Sequence, residues 1–242
     1  MIPDIPWKEQ STSSHFNSAY RRLTVKIKWY GHAAFGMTCE NGVRIIIDPY
    51  ESGGAGGAIG HAPITDHADI VLVSHDHGDH NHTGTIEGPF SIVNEEGSYF
   101  LEGISISAIP TYHDASKGKE RGKNLMFVID ADGLRVVHAG DLGHVLEQDV
   151  LNRIGRTDIL MLPVGGTFTV DAIAATHVMN AIKPSVTIPM HYKSEKIEVP
   201  LAPVEDFIKG KNRVRKVNGP EIELTLENLP REPEIVLLQF AN

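Results

Sequence analysis

Residues 24–30 alternate apolar Val25, Ile27 and Trp29 with Lys26 and Lys28, the two-residue period of a strand with one buried face. Two further apolar stretches, 33–39 and 43–48, flank Glu40-Asn41-Gly42, and an Asn-Gly pair between such stretches predicts a hairpin turn. From residue 70 the pattern changes. Short, nearly uninterrupted apolar runs at 70–73, 104–109, 125–129, 134–137, 159–164 and 186–190 predict strands covered on both faces. A 3.6-residue period over 170–182 sets Val170, Ile173, Ala174, His177, Val178 and Ala181 along one stripe, with Thr169 as the expected N-cap and Lys183-Pro184 as the stop. On that reading His177 is a packed core histidine. Residues 145–154 and 203–209 are weaker helical patterns, and 221–226 and 235–240 read as late strands that either close a sheet edge or pair with a second subunit. The Gly-rich stretch 52–60 lacks the Lys-Ser/Thr ending of a phosphate-binding loop and reads as a flexible loop. Sheets that must bury both faces predict two β layers with helices outside.

The chemistry lies where these runs end. The run at 70–73 leads into His75-Asp76-His77-Gly78-Asp79-His80, the run at 104–109 leads on to His113, the one at 134–137 to Asp141, and the one at 186–190 to His191. Neutral imidazole nitrogen and carboxylate oxygen are the donors a borderline divalent cation prefers. Adjacent donors such as Asp79 and His80 point in different directions, so one ion cannot take the whole hexad. Five His and two Asp suffice for two ions with a shared bridging carboxylate and one position left for water. Strand C-terminal ends are where sites collect in α/β sheets.

Composition narrows the classes. A chain of 242 residues with 41% hydrophobic and 22% charged residues is long enough for one large domain with a sizeable core. We expect an N-terminal extension over 1–23, Ser-rich near its middle, and a single domain over 24–242. A net charge of −9 argues against a general nucleic-acid binder, which needs a basic footprint. Cys39 is the single cysteine, so no internal disulfide can form, and no stretch reaches the roughly 20 apolar residues of a membrane span. The expected location is the cytoplasm, with no membrane partner.

At this point the chain resembles the metallo-β-lactamase fold superfamily. The matching pieces are the His-x-His-x-Asp-His hexad, Thr111-Tyr112-His113, Ala139-Gly140-Asp141-Leu142-Gly143 and Pro189-Met190-His191-Tyr192, in the superfamily's order over roughly 24–192. Trp29-Tyr30-Gly31-His32-Ala33 and Ile47-Asp48-Pro49 resemble the branch of ascorbate-6-phosphate lactonase and N-acylphosphatidylethanolamine phospholipase. True β-lactamases of the superfamily generally lack the last His of the hexad, so His80 points to the general hydrolase branch. The resemblance implies an α+β fold, an αββα sandwich of two mixed sheets flanked by helices. It implies His75, His77 and His113 on a first ion, Asp79, His80 and His191 on a second, and Asp141 bridging them. Two cations about 3.5–4 Å apart would bring a bridging hydroxide within reach of neutral pH. Zn²⁺ is the default for a His-rich shell, with Mn²⁺ or Fe as alternatives. The expected reaction is hydrolysis of an ester, lactone, amide or phosphodiester in a small anionic metabolite. The competing classes are a metal-dependent nuclease and a non-catalytic, metal-stapled binding protein.

Residues outside the donor set are weighed separately. Asp79 is expected both to ligate and to orient the nucleophile. His32, beside Gly31, is either a packing histidine or a pocket residue touching substrate or the reacting water. Lys193, two residues past His191, is a candidate contact for a substrate carboxylate or phosphate. The cations of Lys117-Gly118-Lys119-Glu120-Arg121-Gly122-Lys123 either steer an anion or form a solvated loop. His138 is expected to face away from the donors.

Overall fold

The alternation at the start of the chain folds as a meander. In a computed structural model that describes residues 23–241, β1 (Val25–Gly31), β2 (Ala34–Thr38) and β3 (Arg44–Ile47) pair antiparallel in sequence. The hairpin between β2 and β3 closes with Gly42 N–H donating to the Cys39 carbonyl. The extension expected over 1–23 lies, apart from Leu23, outside the described residues.

The remaining elements follow in order. α1 (Gly54–Gly57), a single turn, precedes β4 (Ile70–Leu72), β5 (Ser91–Val93), β6 (Gly97–Leu101), β7 (Ile104–Tyr112), β8 (Lys123–Ala131) and β9 (Leu134–His138). Then come α2 (Gln148–Ile154), β10 (Ile159–Pro163), α3 (Ala172–Ile182), β11 (Val186–Met190), α4 (Val204–Ile208), β12 (Val214–Lys216), β13 (Glu221–Leu224) and β14 (Glu234–Leu237). Among the described residues they form two mixed sheets, in the orders β13-β1-β2-β3-β4-β5 and β12-β14-β11-β10-β9-β8-β7-β6. The fold is an α+β sandwich of two mixed sheets.

Three of the apolar runs sit where both faces are covered, whereas the run at 104–109 alternates, with Ser105 exposed on the open face of β7. Every residue of β4, β10 and β11 is buried. One core joins the sheets: Trp29, Phe35, Ile45 and Leu72 of the first meet Phe127, Val136, Met161 and Ile188 of the second. The other face of the first sheet packs Tyr30, Ile46 and Val71 against Tyr50, Ile59, Ile64 and Leu201, which lie in irregular segments. The helices α2–α4 therefore gather on the second sheet, and connecting chain covers the first. The stretch at 52–60, read as a flexible loop, contains the turn α1 and a bridge from Ile59 to Ile197.

Three local expectations are corrected. The N-cap of α3 is Asp171, whose carboxylate accepts from Ile173 N–H and Ala174 N–H at 3.0 and 2.8 Å; Thr169 donates its hydroxyl to the Gly166 carbonyl. The helix is rotated from the stripe expected: Ala175, Val178 and Ile182 are buried, Ile173 is 70% exposed, and His177 is exposed rather than packed. Of the late strands, β13 closes the first sheet's edge on β1, whereas β14 lies inside the second sheet between β11 and β12. No helix among the described residues is long and apolar enough to cross a membrane.

Candidate metal centre

Strand direction brings the donors to one place. β7 and β8 are antiparallel, β8 and β9 are antiparallel, and β9, β10 and β11 are parallel, so β7, β9 and β11 finish at the same edge. They deliver His113, Asp141 and His191 there. β4 delivers the hexad from the facing sheet, curled so that His80 N–H and Asn81 N–H both donate to the His77 carbonyl. The β1–β2 turn adds His32.

The expected donors fall into groups. His75, His77 and His113 offer atoms within 4.8 Å of one another, and so do His32, Asp79, His80 and His191. Asp141 lies between them: its Oδ2 is 3.2 Å from His113 Nε2, 3.3 Å from His80 Nε2, 3.3 Å from His191 Nε2 and 4.0 Å from His75 Nε2. His32 Nε2 lies 3.2 Å from Asp79 Oδ2. All seven residues expected as ligands, and His32 with them, thus meet at one edge of the sandwich.

The supporting residues carried a weaker signal. Asp48, fully buried, accepts from Ser74 N–H and the Ser74 hydroxyl at 2.7 Å each and lies 3.0 Å from His80 Nδ1. The Ser74 hydroxyl spends its one proton on Asp48, so its oxygen accepts from His75 Nδ1 at 2.9 Å. One carboxylate therefore keeps a proton of both imidazoles on Nδ1 and turns both Nε2 atoms toward the site, an arrangement typical of metal-bound histidines. Asn124, also fully buried, holds Asp141 N–H with its Oδ1 at 2.8 Å and donates through Nδ2 to the Ala139 carbonyl and Thr111 Oγ1. His138 lies in no donor group; it donates from Nε2 to the Ala33 carbonyl and accepts Gly140 N–H on Nδ1. The sequence signal for Asp48 was its place in Ile47-Asp48-Pro49 after a strand; Asn124 had none.

Close approach and backbone strain mark the same spot. A Cβ on Gly140 would stand 2.3 Å from Asn124 Oδ1, and one on Gly143 2.3 Å from Asp114 N, so the Asp141 loop needs glycine at both positions. His32, Asp48 and His191 all adopt left-handed backbone, with φ of 52, 48 and 51°. Non-glycine residues take such conformations where the surrounding structure fixes them, commonly at functional sites. The fixing bond here is His191 N–H to the His32 carbonyl at 3.0 Å, with Trp29 Nε1 donating to the same oxygen at 3.1 Å.

Electrostatics suit a cation. Burial and the neighbouring His80 bring the His75 imidazole down to about 3, and burial, with His191 beside it, brings His32 down to about 4. Burial also opposes charge on Asp141, but His191, His80 and His113 around it hold its carboxyl well below the usual range. His80 goes the other way. Burial opposes its charged form, yet Asp141 and Asp48 together push it well above the ordinary value. Two buried carboxylates that draw a second proton onto one imidazole would accept a divalent cation in its place. His75 Nε2, His80 Nε2 and Asp141 Oδ1 are buried without a hydrogen-bond partner, so the donor set fits a cation.

The outlying candidates are arranged differently. Lys193 is exposed, and its ammonium bonds back onto the Ile197 carbonyl. The 117–123 segment is ordered by Asp114, whose carboxylate accepts from the N–H groups of Ser116, Gly118, Glu120 and Arg121. Arg121 stacks over the Phe168 ring at 3.3 Å. With Lys123 it lines a cavity of about 560 Å³ that reaches His75 and His77, with Glu95 and Glu96 also in the lining.

A sandwich of two mixed sheets with a His/Asp cluster at one edge is an architecture met before. A family model described as "Beta-lactamase superfamily domain" matches residues 26–191. A UPF0173 metal-dependent hydrolase of Thermococcus onnurineus is 32% identical, over 70% of this chain and 85% of its own. One of Archaeoglobus fulgidus is 28% identical, over 84% of this chain and 95% of its own. A crystal structure from Thermotoga maritima, assigned to the metallo-beta-lactamase superfamily, superposes with a TM-score of 0.73 at 34% identity, covering 88% of this chain and 98% of its own. The chain belongs to the metallo-β-lactamase superfamily, among its UPF0173 metal-dependent hydrolases.

Proposed function

We propose that the protein hydrolyses an ester, lactone, amide or phosphodiester bond of a small anionic metabolite with two divalent cations held side by side. The observation that carries this reading is the position of Asp141 Oδ2, within 3.2–4.0 Å of imidazoles from both donor groups. His75, His77 and His113 would hold one cation, Asp79, His80 and His191 the other, and Asp141 both. Bound there, the pair would supply Lewis acidity and a water acidic enough to act near neutral pH.

The chain's own groups supply order and proton management. Asp48 and Ser74 keep the protons of His75 and His80 on Nδ1. Asp79 is the accessible carboxylate of the site, its side chain 27% exposed. Burial opposes its charge, but the hydrogen bond from His32 and the charge of His80 outweigh this and keep it ionised. It is placed to accept a hydrogen bond from the attacking water. Arg121 and Lys123 in the adjoining cavity are the cations that could meet an anionic group of the substrate, beside the carboxylates of Asp76, Glu95 and Glu96 in the same lining.

Purified chain, stripped with a chelator and reloaded with Zn²⁺ or Mn²⁺, tests the reading against ester, lactone, amide and phosphodiester probes. Turnover of one class should vanish on chelation, return with metal, and fall at least about a hundredfold in Asp141→Asn. Failure of chain loaded with two cations to turn over any probe would sink it.

A further inference from the structure

His32 enters the second donor group from outside the hexad, carried by the β1–β2 turn. It is 2% exposed and its Nδ1 has no hydrogen-bond partner. Its Nε2 lies 3.2 Å from Asp79 Oδ2. Two donors that share one cation at about 2.0–2.2 Å stand roughly 3.0–3.5 Å apart. The His32–Asp79 spacing falls in that interval, as do those of His80, His113 and His191 to Asp141. His191 presents itself as His32 does, with Nε2 toward a carboxylate and Nδ1 without a partner. The His32 and His191 rings are 4.2 Å apart between centroids. The turn is held in this position by its left-handed backbone and by the two bonds that the His32 carbonyl accepts.

We propose that His32 Nε2 is a protein ligand of the cation held by Asp79, His80 and His191. The inference rests on the two-cation reading above and makes the two positions unequal. The first has three imidazoles and Asp141. The second has His32, His80 and His191 with Asp79 and Asp141, five donors that leave one vertex of an octahedron free. Four donors suit the tetrahedral habit of Zn²⁺, whereas five suit a cation of octahedral habit such as Mn²⁺ or Fe²⁺.

The test is stepwise loading of the cation-free chain with Co²⁺, followed by visible absorption and chelator competition, in the wild type, His32→Asn and His32→Gln. Asn tolerates left-handed backbone. Gln retains an amide N–H for Asp79 but offers no imidazole lone pair. The wild type should take two Co²⁺ per chain. Both variants should bind the first with unchanged affinity and the second at least about tenfold more weakly, with a stronger visible band as its coordination number drops. An unchanged second affinity and spectrum, or full rescue by Gln, would assign His32 a hydrogen-bonding role only and overturn the proposal. Histidine ¹⁵N NMR of the wild type loaded with Cd²⁺, a diamagnetic ion that accepts six donors, needs no substitution: six metal-bound imidazoles support it and five overturn it. A wild type that takes fewer than two Co²⁺ would overturn the two-cation reading itself.

Discussion

Asp48 ties the two donor groups together without belonging to either. It fixes His80 directly and His75 through Ser74. Asp48→Asn keeps the volume and loses the charge, so affinity for both cations should fall by about 10–100-fold while the fold persists; chelator competition measures it. His80 yields a second expectation. With its pKa raised well above the ordinary 6.5, the cation-free chain carries a proton at pH 7 that a cation must displace. Calorimetric heats of Co²⁺ uptake at pH 7 should therefore differ between buffers of different ionisation enthalpy, and apparent affinity should rise with pH. Equal heats would contradict this. The donors were legible in the sequence because they sit beside one another in the hexad or directly after apolar runs. Asp48 and Asn124 were not, because their roles come from partners such as Ser74 and Ala139 that meet them only in the folded chain.

At the level of elements, acceptors at the starts of loops and helices set order. The four N–H groups around Asp114 outweigh the effect of its burial and hold its carboxyl below the usual range. The order of the 115–121 segment should therefore be complete above about pH 4, the ordinary Asp value, and be lost as pH falls through the lowered one. In Asp114→Ala the amides of Ser116, Gly118, Glu120 and Arg121 should exchange faster at neutral pH, measured by hydrogen exchange. Asp171→Ala removes the cap of α3 and should cost about 1 kcal/mol in urea unfolding. The long apolar runs announced β4, β10 and β11 because burial on both faces leaves no polar residue to blur the pattern, and β7–β9 because their buried positions still outnumber polar ones such as Ser105, Asp130 and Arg135. β5, β6 and β12 went unseen: they are short or carry polar residues such as Ser91, Ser98 and Arg215, and only pairing with a neighbour makes them strands. α3 was legible as a helix but not in its rotation, since Ile173 and His177 turn outward while Ala175 packs inward.

At the scale of the whole molecule, the donors come from both sheets. The hexad and His32 belong to the first, and His113, Asp141 and His191 to the second. Cations bound between them would staple the sandwich together. At a hundredfold excess over its Kd a ligand stabilises by about 2.7 kcal/mol, which for a domain of this size is roughly 5–10 °C in Tm. Scanning calorimetry with Co²⁺ against chelator should show a rise of that order, reduced in His113→Ala.

The bond from His191 N–H to the His32 carbonyl spans most of the chain. A nascent polypeptide has already exposed the hexad, His113 and Asp141 by the time residue 191 is synthesised, yet it lacks the contact that closes the cradle. The donors proposed for the first cation are therefore complete in sequence at residue 141, whereas the second group, which needs His191, can close only after fifty more residues have been added.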